Sequence, residues 1–140
     1  MNNSLSRFVS AQDALPFRVA LEELQSGQKR SHWIWFVFPQ LRGLGKSPTS
    51  VYFGLDGREE AEAYIDHPLL SRRLRDCFLA VNDHAGKIGL EQLFGSPVDA
   101  MKFKSSAELF ASLGFEPAEL CCRSFGFTRA VNREEDKKGE

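Results

Sequence analysis

Between His32 and Ser47 the chain sets side chains that could do chemistry close together. Trp35 offers an aromatic wall, Gln40 a carboxamide, and Arg42 a fixed positive charge. Gly43 and Gly45 offer main-chain amides in a turn, and Ser47 offers a hydroxyl before Pro48. Apolar mass beside amides and cations is how a small-ligand site is usually built. The chemistry implied is recognition of an anionic small molecule, nucleotide-like or phosphorylated. Tyr52 would add a second wall, and Lys102 a second cation if its helix packs nearby. His32 and Gln40 would give directional hydrogen bonds, and His32 is the candidate acid or base should a reaction occur. The same glycines serve equally for a plain turn, and the apolar run Trp33–Phe38 for plain core. At the level of the sequence both readings stand.

Sharper motifs fail on inspection. Gly43-Leu44-Gly45-Lys46-Ser47 resembles the end of a phosphate-binding loop, but Gln40 stands where that loop needs glycine, and no strand–helix alternation surrounds it. No serine-nucleophile signature occurs. No two histidines stand at metal-ligand spacing and no Cys-x-x-Cys pair exists, so neither metal nor cofactor is expected. His67 reads as part of a helix corner, and His84 as a dipole partner at a helix C-terminus. Lys102 with Ser105 and Ser106 is mildly suggestive of ligand contact, although a solvated face explains the trio as well.

The composition narrows the partners. A formal net charge of −1 offers no surplus of cations for phosphate, so nucleic acid is not expected. The longest apolar run is far short of the roughly 20 residues needed to span a bilayer, so no membrane partner is expected. The N-terminus has no apolar signal core, and Cys77, Cys121 and Cys122 read as buried thiols, which suits a cytoplasmic setting. Twelve phenylalanines against two tyrosines indicate core more than binding surface. The alternative from another class is an interaction module or homo-oligomer built on the aromatic 29–47 segment. Exposure of Trp33, Trp35 and Phe36 would mark it.

The elements that must position these residues read as helices. Residues 16–26 place Phe17, Ala20, Leu21 and Leu24 on one face, with Glu22 and Glu23 outward, and stop at Gly27. A shorter turn over 6–11 precedes it. The run 33–38 is ambiguous between buried helix and strand, with helix favoured, Ser31 a cap and Pro39 a stop. On a helix Trp33 and Trp35 point roughly 200° apart. Ser47-Pro48 opens a segment through Tyr52, and a capping box at Asp56–Glu59 opens a helix to about Asp66. Leu70, Leu74, Cys77, Phe78 and Val81 share the face of a long helix after Pro68. A short piece over 90–94 ends at Gly95. Ser96-Pro97-x-Asp99 starts a helix with Met101, Leu109, Phe110 and Leu113 inward, and Glu116-Pro117 starts the last one. The expectation is an all-α fold: one domain of about six helices over residues 1–131, then a charged tail over 132–140.

Taken in order, Arg7-Phe8-x-x-Ala11-Gln12, Ser31-His32-Trp33-x-Trp35-Phe36-x-Phe38-Pro39-Gln40-Leu41-x-Gly43-Leu44-Gly45-x-Ser47, Glu60-Ala61-x-Ala63-Tyr64, His67-Pro68-x-Leu70, Arg73-Leu74 and Phe94-Gly95-x-Pro97-x-Asp99-x-x-Lys102 resemble the domain of unknown function 1810 family. The resemblance covers about residues 7–115 and implies a mainly helical, uncharacterised domain with no activity to carry over. Some members are labelled calpastatin, a disordered inhibitor, which this globular composition does not fit. After Ser124 the chain departs from the family's pattern and ends in charged residues.

Overall fold

Proline and glycine cut this chain into short helices, and aromatic packing joins them. The computed structural model describes residues 5–14, 17–43 and 45–127. These form nine helices: α1 (Ser6–Ala14), α2 (Phe17–Ser26), α3 (Ile34–Val37), α4 (Pro48–Phe53), α5 (Gly57–Asp66), α6 (Pro68–Asn82), α7 (Leu90–Phe94), α8 (Pro97–Ser112) and α9 (Glu116–Phe125). The class is all-α, but about six helices was too few. The segment over 6–11 is a full helix through Ala14, and α3, α4 and α7 are too short to show a helical period. The expected charged tail lies outside the described residues.

Caps set several of these boundaries. Ser47 accepts from the Ser50 amide, Ser96 from the Asp99 amide, and each is followed by proline. His67 Nδ1 accepts from the Leu70 amide, so the corner histidine is the cap of α6. The expected Asp56–Glu59 capping box of α5 does not form. The Asp56 side chain makes no capping bond; instead the buried Glu60 accepts the Asp56 amide at 2.6 Å. Ser31 does not cap α3, because its hydroxyl is drawn to Glu23.

Helix α8 packs on α9 and α7, α6 on α9, α2 and α5, and α3 on α1, α4 and α8. Phe38, just past α3, sits at the centre, with the rings of Trp33, Phe78, Phe94 and Phe103 within 6.3 Å between centroids. All twelve phenylalanines lie in this core or pack against it. The three cysteines are buried and none is in a disulfide. Burial pushes the Cys77 thiol up, and Cys121 up to about 12, so both stay protonated and inert. Among the described residues no helix is long and apolar enough to cross a membrane.

One irregular contact shapes the candidate site. Leu41 and Leu55 form an isolated parallel bridge, with Leu55 N–H donating to the Gln40 carbonyl and Arg42 N–H to that of Leu55. The glycine bend and α4 thus leave and return through one pinned neck. Gly54 makes the neck possible, since a Cβ there would lie 2.6 Å from Arg42 Cα. We expect Gly54→Ala to force the two segments apart and cost about 1–3 kcal/mol, read as a lowered urea midpoint. A midpoint unchanged from wild type would show that the neck yields freely.

Candidate functional site

The site is assembled from the turn after α2, from α3 and from the first turns of α8. Glu23 starts it. Expected outward, it is buried, and its carboxylate accepts from Arg30 N–H at 2.8 Å, Ser31 N–H at 3.0 Å, Ser31 Oγ at 2.6 Å and Trp33 Nε1 at 2.9 Å. Burial by itself would raise its pKa. The four hydrogen bonds, led by the Ser31 hydroxyl, outweigh that and bring the carboxyl from 4.5 down to about 2. Residues 30–33 are therefore tied over the end of α2, and α3 leaves this knot at a set angle.

Two lysines then meet one carboxylate. Lys29 Nζ is 2.9 Å from Asp99 Oδ2 and lies over Trp33, 5.2 Å from the ring centroid. Lys102 Nζ is 3.4 Å from Asp99 Oδ1 and lies over Trp35 at 3.9 Å. Two ammonium groups against one carboxylate leave a surplus positive charge over the face of a half-buried indole. The bend reaches the same ring. A Cβ on Gly45 would lie 3.6 Å from Trp35 Cη2 and 2.9 Å from Ser50, so glycine is needed there for close approach. Val98 and Met101, both strongly exposed, share the Lys102 side of α8. Met101 had been expected inward; it faces out because the neighbours of α8 cover its other sides.

Trp35, Gly45 and Lys102 are thus brought together. Gln40 is buried in the neck, and its Nε2 finds no acceptor among the described residues, as does Ser106 Oγ on α8. Ser106, read from sequence as part of a solvated face, is fully enclosed. The remaining candidates go elsewhere. Arg42 turns to the other end of α4, donating to the Val51 carbonyl at 3.3 Å with Asp56 at 3.8 Å. Tyr52 is at that end too, mostly exposed, its ring edge-on to Phe53. Gly43 is exposed at φ 103°, and the Ser47 hydroxyl is committed to capping. His32 is exposed on the Glu23 knot. His84, expected to serve the end of its own helix, instead serves α2: its Nε2 lies 2.7 Å from the Leu24 carbonyl, which can only accept, so Nε2 is the donor. Trp33 and Phe36 are buried and Trp35 is half-buried, so the aromatic segment presents no exposed patch. Among the described residues no three of His, Cys, Asp and Glu converge to hold a metal ion.

Sequence reasoning missed a second polar centre. Gln12, buried, donates to the Phe36 carbonyl at 2.8 Å and to Tyr64 Oη at 3.2 Å, and accepts from Arg73 at 3.1 Å. Burial raises the Tyr64 pKa, more than the Gln12 hydrogen bond lowers it. Arg7, Gln12, Glu60, Tyr64 and Arg73 all belong to the strings that carry the family resemblance, and in the structure they are internal ties. Their places in those strings were the signal available.

The fold and these ties define an all-helical domain with a cationic, tryptophan-edged face. The chain belongs to the family described as protein of unknown function (DUF1810), whose model matches residues 2–125. It is similar to the crystal structure of the conserved hypothetical protein Rv1873 from Mycobacterium tuberculosis, with 45% identity and a TM-score of 0.78, covering 85% of this chain and 84% of that one. No curated protein matches it.

Proposed function

We propose that this domain binds an anionic small molecule, nucleotide-like or phosphorylated, on the face shared by Trp35, Gly45 and Lys102. The observation that carries the reading is Lys102 Nζ over the half-buried Trp35 ring, with its counter-charge Asp99 already held more closely by Lys29. A flat base or sugar ring would lie against Trp35 and the exposed Val98 and Met101, and phosphate would take the surplus positive charge. Arg42 and Tyr52 sit about one α4 length away, roughly 9 Å, and would touch only a longer ligand.

A thermal-shift series with nucleotides, sugar phosphates and nicotinamide derivatives tests it. A compound present at ten times its Kd should stabilise by about 1.4 kcal/mol, or about 4–6 °C for a domain of this size. Lys102→Ala should abolish the shift. No response to any compound at millimolar concentration would sink the reading. Should a compound bind, product analysis with wild type and His32→Ala separates catalysis from binding, and equal turnover would remove His32 from any mechanism.

A further inference from the structure

The outer faces of α6 and α9 enclose an open groove of about 870 Å³ that none of the chemistry above uses. Its apolar floor includes Leu79, 37% exposed, with Phe115, Pro117 and Leu120. Its rim carries Arg75 and Arg123 against Glu116 and Glu119. A rim with two charges of each sign suits neither a uniformly acidic nor a uniformly basic partner. The order of those charges along α9 is informative. Glu116, Leu120 and Arg123 recur at four and then three residues, which puts them on one stripe. Acid stands at one end, base at the other and leucine between. The two charges are seven residues apart, about 10.5 Å along the axis.

Such a stripe is complementary to itself when reversed. We propose that a second copy of this chain occupies the groove, its α9 antiparallel to the first across a twofold axis. Glu116 of each copy then faces Arg123 of the other, and the two Leu120 side chains meet over the apolar floor. The symmetry is isologous, so each favourable pair occurs twice and the assembly closes as a dimer. The ridge of one α9 lies in the groove between α6 and α9 of its mate, as helices generally pack. This pairing is independent of any ligand at Trp35.

Sedimentation velocity on the whole chain tests it. Wild type at about 0.1 mM is expected to sediment at twice 15.8 kDa and to dissociate as salt is raised. Glu116→Arg alone and Arg123→Glu alone each place like charges opposite one another at both ends of the contact. Each should halve the sedimenting mass. An equimolar mixture of the two single variants restores opposite charges at both ends and should return to dimer. Both side chains are exposed, so circular dichroism of the variants should match wild type. A wild type that stays monomeric over this range overturns the proposal and leaves the groove to a different protein. So does a dimer that neither variant disturbs, which would use another face. A mixture that remains monomeric refutes the antiparallel register.

Discussion

Replacing Glu23 by alanine is expected to cost about 3–5 kcal/mol, through the hydrogen bonds it leaves unmade. The substitution strands four donors, among them the indole N–H of Trp33, whose side chain is fully enclosed. Each donor left dry costs about 1–3 kcal/mol, although the Arg30 amide and the Ser31 hydroxyl can turn to water. Total stabilities of about 5–15 kcal/mol are usual, so the variant would be close to unfolding at ordinary temperature. Urea denaturation at neutral pH measures the loss, and a change under about 1 kcal/mol would show that residues 30–33 need no carboxylate. The proton linkage gives an independent check. The folded-state pKa of Glu23 is depressed, from 4.5 to about 2. Its contribution is therefore fully present above pH 4.5 and lost as pH falls toward 2. At about 1.4 kcal/mol for each tenfold change in proton affinity, that portion is about 3 kcal/mol. Glu23→Gln keeps the shape but not the charge, and its stability should lack this part of the acid limb. Because the same knot aims α3, Glu23→Gln should also weaken any ligand that rests on Trp35.

The second large effect is at Arg7. Its guanidinium forms a two-pronged pair with Glu60, at 3.0 and 3.1 Å, and donates to the carbonyls of Tyr52 and Gly54. Both side chains are at most 10% exposed, so this is a buried pair. Arg7→Met is expected to cost about 3–5 kcal/mol, since Glu60 would keep its charge while losing the guanidinium that balances it. The double variant Arg7→Met/Glu60→Gln should recover about 1–2 kcal/mol of that loss, because it no longer buries an unmatched charge. Two small, additive effects would place the pair with ordinary exposed ion pairs, worth about 0–1 kcal/mol. Cleavage by a protease within residues 41–54 should speed up in Arg7→Met, because the end of α4 is tied down through those two carbonyls.

Local chemistry determined much of this architecture. Helix starts at Pro48, Pro68 and Pro97, each behind a capping side chain, follow from proline's fixed φ and missing N–H. The buried stripe Leu70, Leu74, Cys77, Phe78 and Val81 follows from a period close to 3.6. The phenylalanine-rich core follows from a side chain with no polar end. Trp35 and the glycine bend were also legible as neighbours, since they lie ten residues apart in the chain.

Tertiary packing decided the rest. Glu23 reads as a solvent-facing residue of an amphipathic helix, and only the return of residues 30–33 over α2 encloses it. Met101 and Ser106 exchange their expected environments because α9, α7 and α3 cover α8 unevenly. Arg42 and Ser47 are five residues apart, yet α4 separates their side chains to opposite ends. Lys102 reaches Trp35 across 67 positions of sequence. A pattern along a chain reports the face a residue presents to its own helix axis. Which other helix crosses that face, and what charge it brings, is set by how side chains of distant segments interlock, and no local period encodes it.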